Sequence, residues 1–235
     1  MVAELRSITK YYLLPGKDPR KQLPGLHPPV LDDISFSIKT NDSLAITGPS
    51  GSGKSTLLNI LGTLDKPTSG EVIINGKNIG LLADDILAGI RNSFIGFVFQ
   101  MHHLLPQITL LENVLLPVLP QRNKPAMQIA RERAFGLLER VGLQDHAGKH
   151  PYQLSAGECQ RAAVVRALIN QPKLLLADEP TGSLDEENAA RLGELLSILT
   201  KEQQVSVVVV THSPELAARM EKTYRLGGGK LKLVL

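Results

Sequence analysis

The run SLAITGPSGSGKSTLLNIL (43–61) constrains this chain more than any other stretch. SLAIT is an apolar strand candidate, and Ser55 to Leu61 continues with helical character. Between them, GPSGSGKS (48–55) fits GxxxxGK[ST], the phosphate-binding loop. A strand, a glycine-rich turn and a helix in that order commit the chain to an α/β fold. Gly48, Gly51 and Gly53 let the backbone adopt angles closed to other residues, so that successive amide N–H groups converge on phosphate oxygens. The helix that follows points its positive end at the same anion. Lys54 is placed to bridge the β- and γ-phosphates, and Ser55 to ligate Mg2+. The candidate contacts therefore run through Gly48, Pro49, Ser50, Gly51, Ser52, Gly53, Lys54, Ser55 and Thr56.

LLLADEP (174–180) supplies matching carboxylates. A hydrophobic strand ending in Asp178 sets a carboxylate beside the loop, where it holds Mg2+ through water. Glu179 is then positioned to polarise the water that attacks the γ-phosphate. Hydrolysis of a nucleoside triphosphate follows from the two motifs together. The guanine-reading NKxD motif is absent, which favours ATP.

The rest of the chain supports a sheet-and-helix domain. Alternation at Ile34, Phe36 and Ile38 reads as a half-buried strand, with a turn at Asn41 and Asp42. Asn75 and Gly76 suit a type I′ turn, making EVIINGKNI (71–79) a hairpin candidate. IGFVFQ (95–100) reads as a strand, and the unbroken apolar runs KLLLA (173–177) and VSVVVV (205–210) as strands covered on both faces. Residues 126–141 have helical spacing at Ile129, Ala130, Leu137, Leu138 and Val141, with Gly142 as the cap. Ser213 and Pro214 open another helix, and Gly227 to Gly229 turn a final hairpin. The proline-rich segment 13–29 is expected to be an extended surface loop.

The chain has 235 residues, enough to bury a proper core. A formal charge of +3 suits an anionic ligand or membrane surface without the clustered basic stripe of a nucleic-acid binder. The single cysteine, Cys159, excludes an intrachain disulfide and fits a reducing cytosol. Met1 to Lys10 carries charges and lacks the apolar core of a signal peptide, and the apolar runs are too short to span a bilayer. Any membrane role then needs a separate transmembrane partner.

With LSAGE (154–158) added, the chain resembles the nucleotide-binding subunits of ABC transporters over essentially its full length. The order is the family's: P-loop at 48–56, Gln100 after a strand, LSAGE, LLLADEP, SLD at 183–185, then His212. A lone Gln or His after a strand is usually structural, and only the ordered set is specific. The resemblance implies one nucleotide-binding domain over 1–235. Its fold is a P-loop NTPase of ABC type, with a mixed sheet core, an antiparallel β portion and an inserted helical subdomain at about 101–168.

By the same resemblance, Gln100 reaches Mg2+ and links the site to the membrane partner, and His212 contacts the γ-phosphate. Ser183, Leu184 and Asp185 form the D-loop that communicates across a dimer. Tyr12 aligns with the aromatic that stacks on adenine, with Tyr11 as the alternative. Two copies pack head to tail, so Ser155, Gly157 and Glu158 of one chain meet ATP held on the P-loop of the other. The implied partners are that second copy and integral-membrane permease subunits, without nucleic acid. They place the chain in the cytoplasm, peripheral on the inner face of the membrane.

GFVFQMHHLLPQITLLENVLLP (96–117) and LLADEPTGSLD (175–185) are most similar to a bacterial subgroup. It comprises the lipoprotein-releasing ATPase, macrolide-exporter ATPase domains and the cell-division ATPase, and HHLLP (102–106) favours the first branch. Leu104 to Leu119 is either subdomain core or the landing site for a partner's coupling helix, with some residues expected in each role. Ala156 and Glu158 depart from the common LSGGQ, and Cys159 stands where Arg is usual. Cys159 is expected as an exposed helix residue, whose modification would block dimer closure if it lies at the interface. The competing class is a soluble ABC ATPase of DNA repair or translation. Only about 100 residues separate P-loop and signature, without heptads or a zinc module, and the chain has one P-loop. A small-molecule kinase leaves LSAGE, SLD and His212 unexplained.

Overall fold

The computed structural model describes residues 1–12, 28–121 and 124–234. Most of the expected proline-rich loop, 13–27, lies outside the described residues.

Two sheets share the chain. The first is antiparallel, with β1 (Ala3–Lys10) between β2 (Leu31–Ile38) and β4 (Ser69–Ile74), and the short β5 (Lys77–Asn78) at its edge. In β2, Leu31, Ile34, Phe36 and Ile38 are buried while Ser35 and Ser37 face out, as the alternation requires. Asn75 and Gly76 both take positive φ, 49° and 74°, the conformation that a type I′ turn demands.

The second sheet orders its strands β10-β9-β3-β8-β7-β6. These are β3 (Ser43–Thr47), β6 (Ile95–Val98), β7 (Leu174–Asp178), β8 (Ser206–Val210), β9 (Lys222–Gly227) and β10 (Lys230–Leu233). The first five run parallel and β10 returns antiparallel. The unbroken apolar runs are explained by the layers. Leu174, Leu176, Val208 and Val210 face α1 (Lys54–Leu61) and the antiparallel sheet. Leu175, Ala177, Val207 and Val209 face the opposite helical layer. Both faces being dry, no polar alternation survives.

That second layer holds α3 (Leu110–Leu115), α4 (Lys124–Arg140), α5 (Ala156–Leu168), α6 (Glu186–Gln203) and α7 (Pro214–Ala218), with α2 (Asp84–Ser93) beside β6. Along α4, Ala130, Leu137 and Leu138 are buried, as is Val141 just after it. Ile129 is not: it is 56% exposed, on the solvent side of a helix whose inward face is set by its neighbour Ala130. Gly142, at φ 69°, ends the helix. Among the described residues no helix is long and apolar enough to cross a membrane.

Candidate functional site

The P-loop leaves β3 at Thr47, between β9 and β8, and its shape follows from close packing. A Cβ on Gly48 would lie 2.2 Å from the Leu226 carbonyl oxygen of β9, so no side chain fits. Gly51 and Gly53 take φ of 75° and 98°, and α1 begins at Lys54. The first N–H groups of that helix have no intrahelical acceptors and open towards the cleft. Lys54 is buried, and its ammonium donates to the Gly48 and Pro49 carbonyls, each at 3.0 Å. A cleft of about 520 Å3 is walled by Ser50, Gly51, Gly53, Lys54, Ser55 and Thr56, and opposite them by Gln100, Glu179, Gly182 and His212, with Val30 at its rim. The volume lies in the ordinary range for small-molecule sites.

Both carboxylates arrive from the end of one parallel strand, β7, which β8 separates from β3. β7 ends on Asp178, whose buried Oδ1 has no hydrogen-bond partner. A lone buried carboxylate oxygen beside a phosphate loop fits water-mediated Mg2+ binding. Among the described residues no group of three or more His, Cys, Asp or Glu side chains is gathered to hold a metal. None is needed, because Mg2+ on nucleotides takes one or two carboxylates, waters and the phosphates themselves. Glu179 then turns into the left-handed region, φ 45°, pinned by its N–H to the Val210 carbonyl at 2.9 Å. That turn is strained for a non-glycine residue and throws the carboxylate into the cleft.

The His212 N–H donates to Glu179 Oε2 at 3.0 Å. His212 Nε2 lies 3.2 Å from the Lys54 ammonium and 3.3 Å from Glu179 Oε1. One ring nitrogen cannot accept and donate at once. Beside an ammonium, Nε2 can act as the acceptor, which leaves Glu179 Oε1, without a hydrogen-bond partner, open to the cleft.

At the far end of the loop, the Tyr12 hydroxyl lies 3.3 Å from Thr56 Oγ1 and donates to Asp65 Oδ2 at 2.8 Å. The Lys10 ammonium binds Asp65 Oδ1 at 2.6 Å and lies 4.8 Å from the Tyr12 ring centroid. Burial alone would raise the Asp65 carboxyl, but the Lys10 and Tyr12 hydrogen bonds outweigh it and hold it below the usual carboxylate range. The ring is therefore fixed on the side nearest the P-loop. Tyr11 instead gives its N–H to Thr68 Oγ1.

The signature residues lie elsewhere, and Ser155, Gly157 and Glu158 are not among the residues that wall the cleft. Ser155 caps α5: its Oγ accepts the Glu158 N–H, while Glu158 Oε2 accepts the Ser155 N–H at 2.7 Å and hydroxyl at 2.9 Å. The Ser155 N–H, with smaller contributions from the hydroxyl and nearby His146 and Arg161, holds the Glu158 carboxyl low. Ser155 and Ala156 are exposed at the helix start. Asp185 caps α6, and Ser183 Oγ donates to the Gln100 carbonyl at 3.1 Å.

Two expectations change. Cys159 is 2% exposed, with its thiol directed at the Pro151 carbonyl, because it follows the inward face of α5 with Ala162, Ala163 and Val165. It is neither an exposed residue nor reachable by a thiol reagent in the folded chain, and burial pushes its thiol up. The stretch 104–119 divides: Leu104, Leu110, Leu111, Val114, Leu115 and Val118 are core, and Leu105 and Leu119 are about half exposed. Leu116 and Pro117 line a second groove of about 530 Å3 with Phe97, Phe99, Arg166 and Asn170. Sequence reasoning missed Lys10, Asp65, Gln160, Arg166 and Asn188, all isolated polar residues tied to the site by distant contacts.

A glycine loop gripping a buried lysine, a strand-end Asp–Glu pair and a facing histidine define a P-loop nucleoside triphosphatase. Comparison with known proteins narrows this. The sequence profile of the ABC transporter family matches residues 31–182. The fold is similar to the ATP-binding cassette MJ0796 in a dimeric post-hydrolysis state with ADP and Pi, at 39% identity over 99% of each chain and TM-score 0.85. A second dimeric structure of MJ0796, described as a bacterial ABC transporter cassette, gives 38% over 99% of each chain and TM-score 0.83. The cbiO1 protein of Clostridium perfringens, part of the transporter complex cbiONQ, gives 25% identity over 100% of this chain and 87% of its own, with TM-score 0.83. The chain belongs to the ABC transporter family as an ATP-binding subunit, and it is an ATPase.

Proposed function

We propose that this chain is the motor of a membrane ABC transporter, acting as one nucleotide-binding domain with a helical part at about 101–168. The observation that carries the reading is the separation of the signature from the cleft. One chain holds phosphates with residues 48–56 and presents Ser155 on a different, exposed surface. Two head-to-tail copies complete each site with the partner's Ser155 and Gly157 amide, with Glu158 behind them. The dimeric MJ0796 structures support this arrangement.

Within each site Lys54 neutralises the β- and γ-phosphates, and Tyr12 carries adenine. Glu179 Oε1 takes a proton from the attacking water, and His212 steers the γ-phosphate. Asp178 through water, Ser55 and Gln100 would hold Mg2+, which supplies charge neutralisation on the phosphates. Loss of the γ-phosphate removes the bridge to the signature and loosens the dimer. The subunit docks on permease subunits at the cytoplasmic face through the groove at Phe97, Phe99 and Leu116. HHLLP at 102–106 and LLADEPTGSLD favour a lipoprotein-releasing or related export complex.

Glu179→Gln tests the reading. Without its base the chain should bind ATP, fail to hydrolyse it, and run as a dimer in light scattering only with ATP. A monomer at saturating ATP would refute it. Co-purification with a permease bearing a large periplasmic domain supports the subgroup, and an importer permease sinks it.

A further inference from the structure

The signature segment of one chain meets the first turn of α6, just after the D-loop, at Gly157 and Asn188. A Cβ built on Gly157 lies 2.9 Å from Asn188 Oδ1, closer than real Cβ atoms approach, and 3.1 Å from its Cγ, so the Asn188 amide would have to give way. Gly157 sits in the first turn of α5 and is not among the glycines of positive φ, so the helix itself does not require glycine there. On helical grounds alanine would be preferred. What excludes a side chain is Asn188.

Asn188 cannot simply swing aside. Its N–H donates to Asp185 Oδ1 at 2.9 Å, and its Nδ2 donates to Asp185 Oδ2 at 2.7 Å. Displacing the amide breaks the second bond and frees one side of the D-loop aspartate. The D-loop is in turn tied to the loop that carries Gln100, the Q-loop, because Ser183 Oγ donates to the Gln100 carbonyl. The Q-loop is tied back to α5: Gln160 Nε2 donates to the Phe99 carbonyl at 2.7 Å, and Arg166 donates to the His102 and His103 carbonyls, also at 2.7 Å. Signature, D-loop and Q-loop thus form a closed ring of contacts, and Asn188 is the link whose removal opens it.

We infer that Asn188 is a positioning residue that couples the D-loop to the signature, and that position 157 must be glycine because Asn188 fills the space of its side chain. A shift of the α5 N-terminus on meeting a phosphate is then passed through the Asn188 amide to Asp185. The inference rests on the composite-site reading proposed above.

A double-mutant cycle in the full chain tests it, on a Glu179→Gln background. Two quantities are read: the ATP concentration for half-maximal dimerisation, by light scattering, and ATP affinity of the monomer at high dilution, by calorimetry. Gly157→Ala should raise the first by roughly tenfold, mid-range for directly coupled residues, and leave the second unchanged. Adding Asn188→Ala should return dimerisation to the value of Asn188→Ala alone, since the two Cβ atoms would then stand 3.5 Å apart, an ordinary contact. Gly157→Ala dimerising like its parent, or a double variant as impaired as Gly157→Ala, overturns the inference. If Gly157→Ala folds poorly, the same cycle is read on urea midpoints, where an unrestored double variant overturns it equally. Failure of the Glu179→Gln parent to dimerise is a separate result: it removes the composite-site reading and the inference with it.

Discussion

Tyr12→Ala should weaken ATP binding by about 5- to 150-fold while leaving binding of base-free tripolyphosphate unchanged. The range follows from the geometry. The ring is 54% exposed, so its removal leaves no core cavity, and the loss is that of a stacking surface. A base stacked on an aromatic side chain is worth about 1–3 kcal/mol by alanine substitution, and each 1.4 kcal/mol or so is tenfold in affinity. Tyr12→Phe keeps the ring and removes its hydroxyl from Asp65 and Thr56. The lost pre-organisation is about 0.5–1.5 kcal/mol, or roughly two- to tenfold. Asp65→Asn should fall in the same smaller class, because it removes the charge that draws the Lys10 ammonium to the ring. Calorimetric titration of the Glu179→Gln chain at high dilution, where it stays monomeric, with ATP and with tripolyphosphate measures all three. Tyr12→Ala binding ATP within about twofold of its parent would refute the platform, as would an equal loss for tripolyphosphate.

Three further outcomes are expected. Asn113 is fully buried and accepts the Leu105 N–H, while its amide NH2 shares its two hydrogens among the Leu105, Ile108 and Thr109 carbonyls. Asn113→Ala should cost about 2–4 kcal/mol and lower the urea midpoint at constant slope; a loss under about 1 kcal/mol contradicts that accounting. Cys159 should react with a bulky maleimide only in urea, and modification of the folded chain at the unfolded rate would show the thiol is reachable. Glu158 has a depressed folded-state pKa, so its cap contribution is complete above the unfolded value and is lost as pH falls through the folded one. The stability gap between wild type and Glu158→Gln should therefore narrow below about pH 4. A gap constant with pH counts against the carboxylate cap.

What could be read in the sequence divides by the range of the signal. SLAIT, VSVVVV, the Asn75–Gly76 turn and the P-loop glycines are local, and each residue type is dictated by its own backbone. β1 is not legible in that way. Its inward residues Ala3, Leu5 and Ile8 lose the two-residue period at an irregularity near Ser7, which has φ 50°. Cys159 was misplaced because one residue carries no face, and only the rest of α5 decides which way it points. Lys10 and Asp65 were missed for a related reason, since their pairing is a tertiary contact rather than a matter of spacing; Asn188 bonds locally to Asp185, but its approach to Gly157 is tertiary. The P-loop, Gln100, Glu179 and His212, which the motif order picks out, wall one cleft, but the Asn188 contact behind LSAGE could be seen only in three dimensions.

If each ATP is shared between two chains, two different defects should complement one another. One chain carries Lys54→Ala and the other Ser155→Arg, both on the Glu179→Gln background. Neither should form an ATP-dependent dimer alone, because every composite site then holds a defect. In a mixed dimer one site collects both defects and the other has none. Mixing should therefore produce an ATP-dependent dimer that retains one nucleotide per pair of chains. A mixture that forms no more ATP-dependent dimer than the separate chains would contradict the shared site.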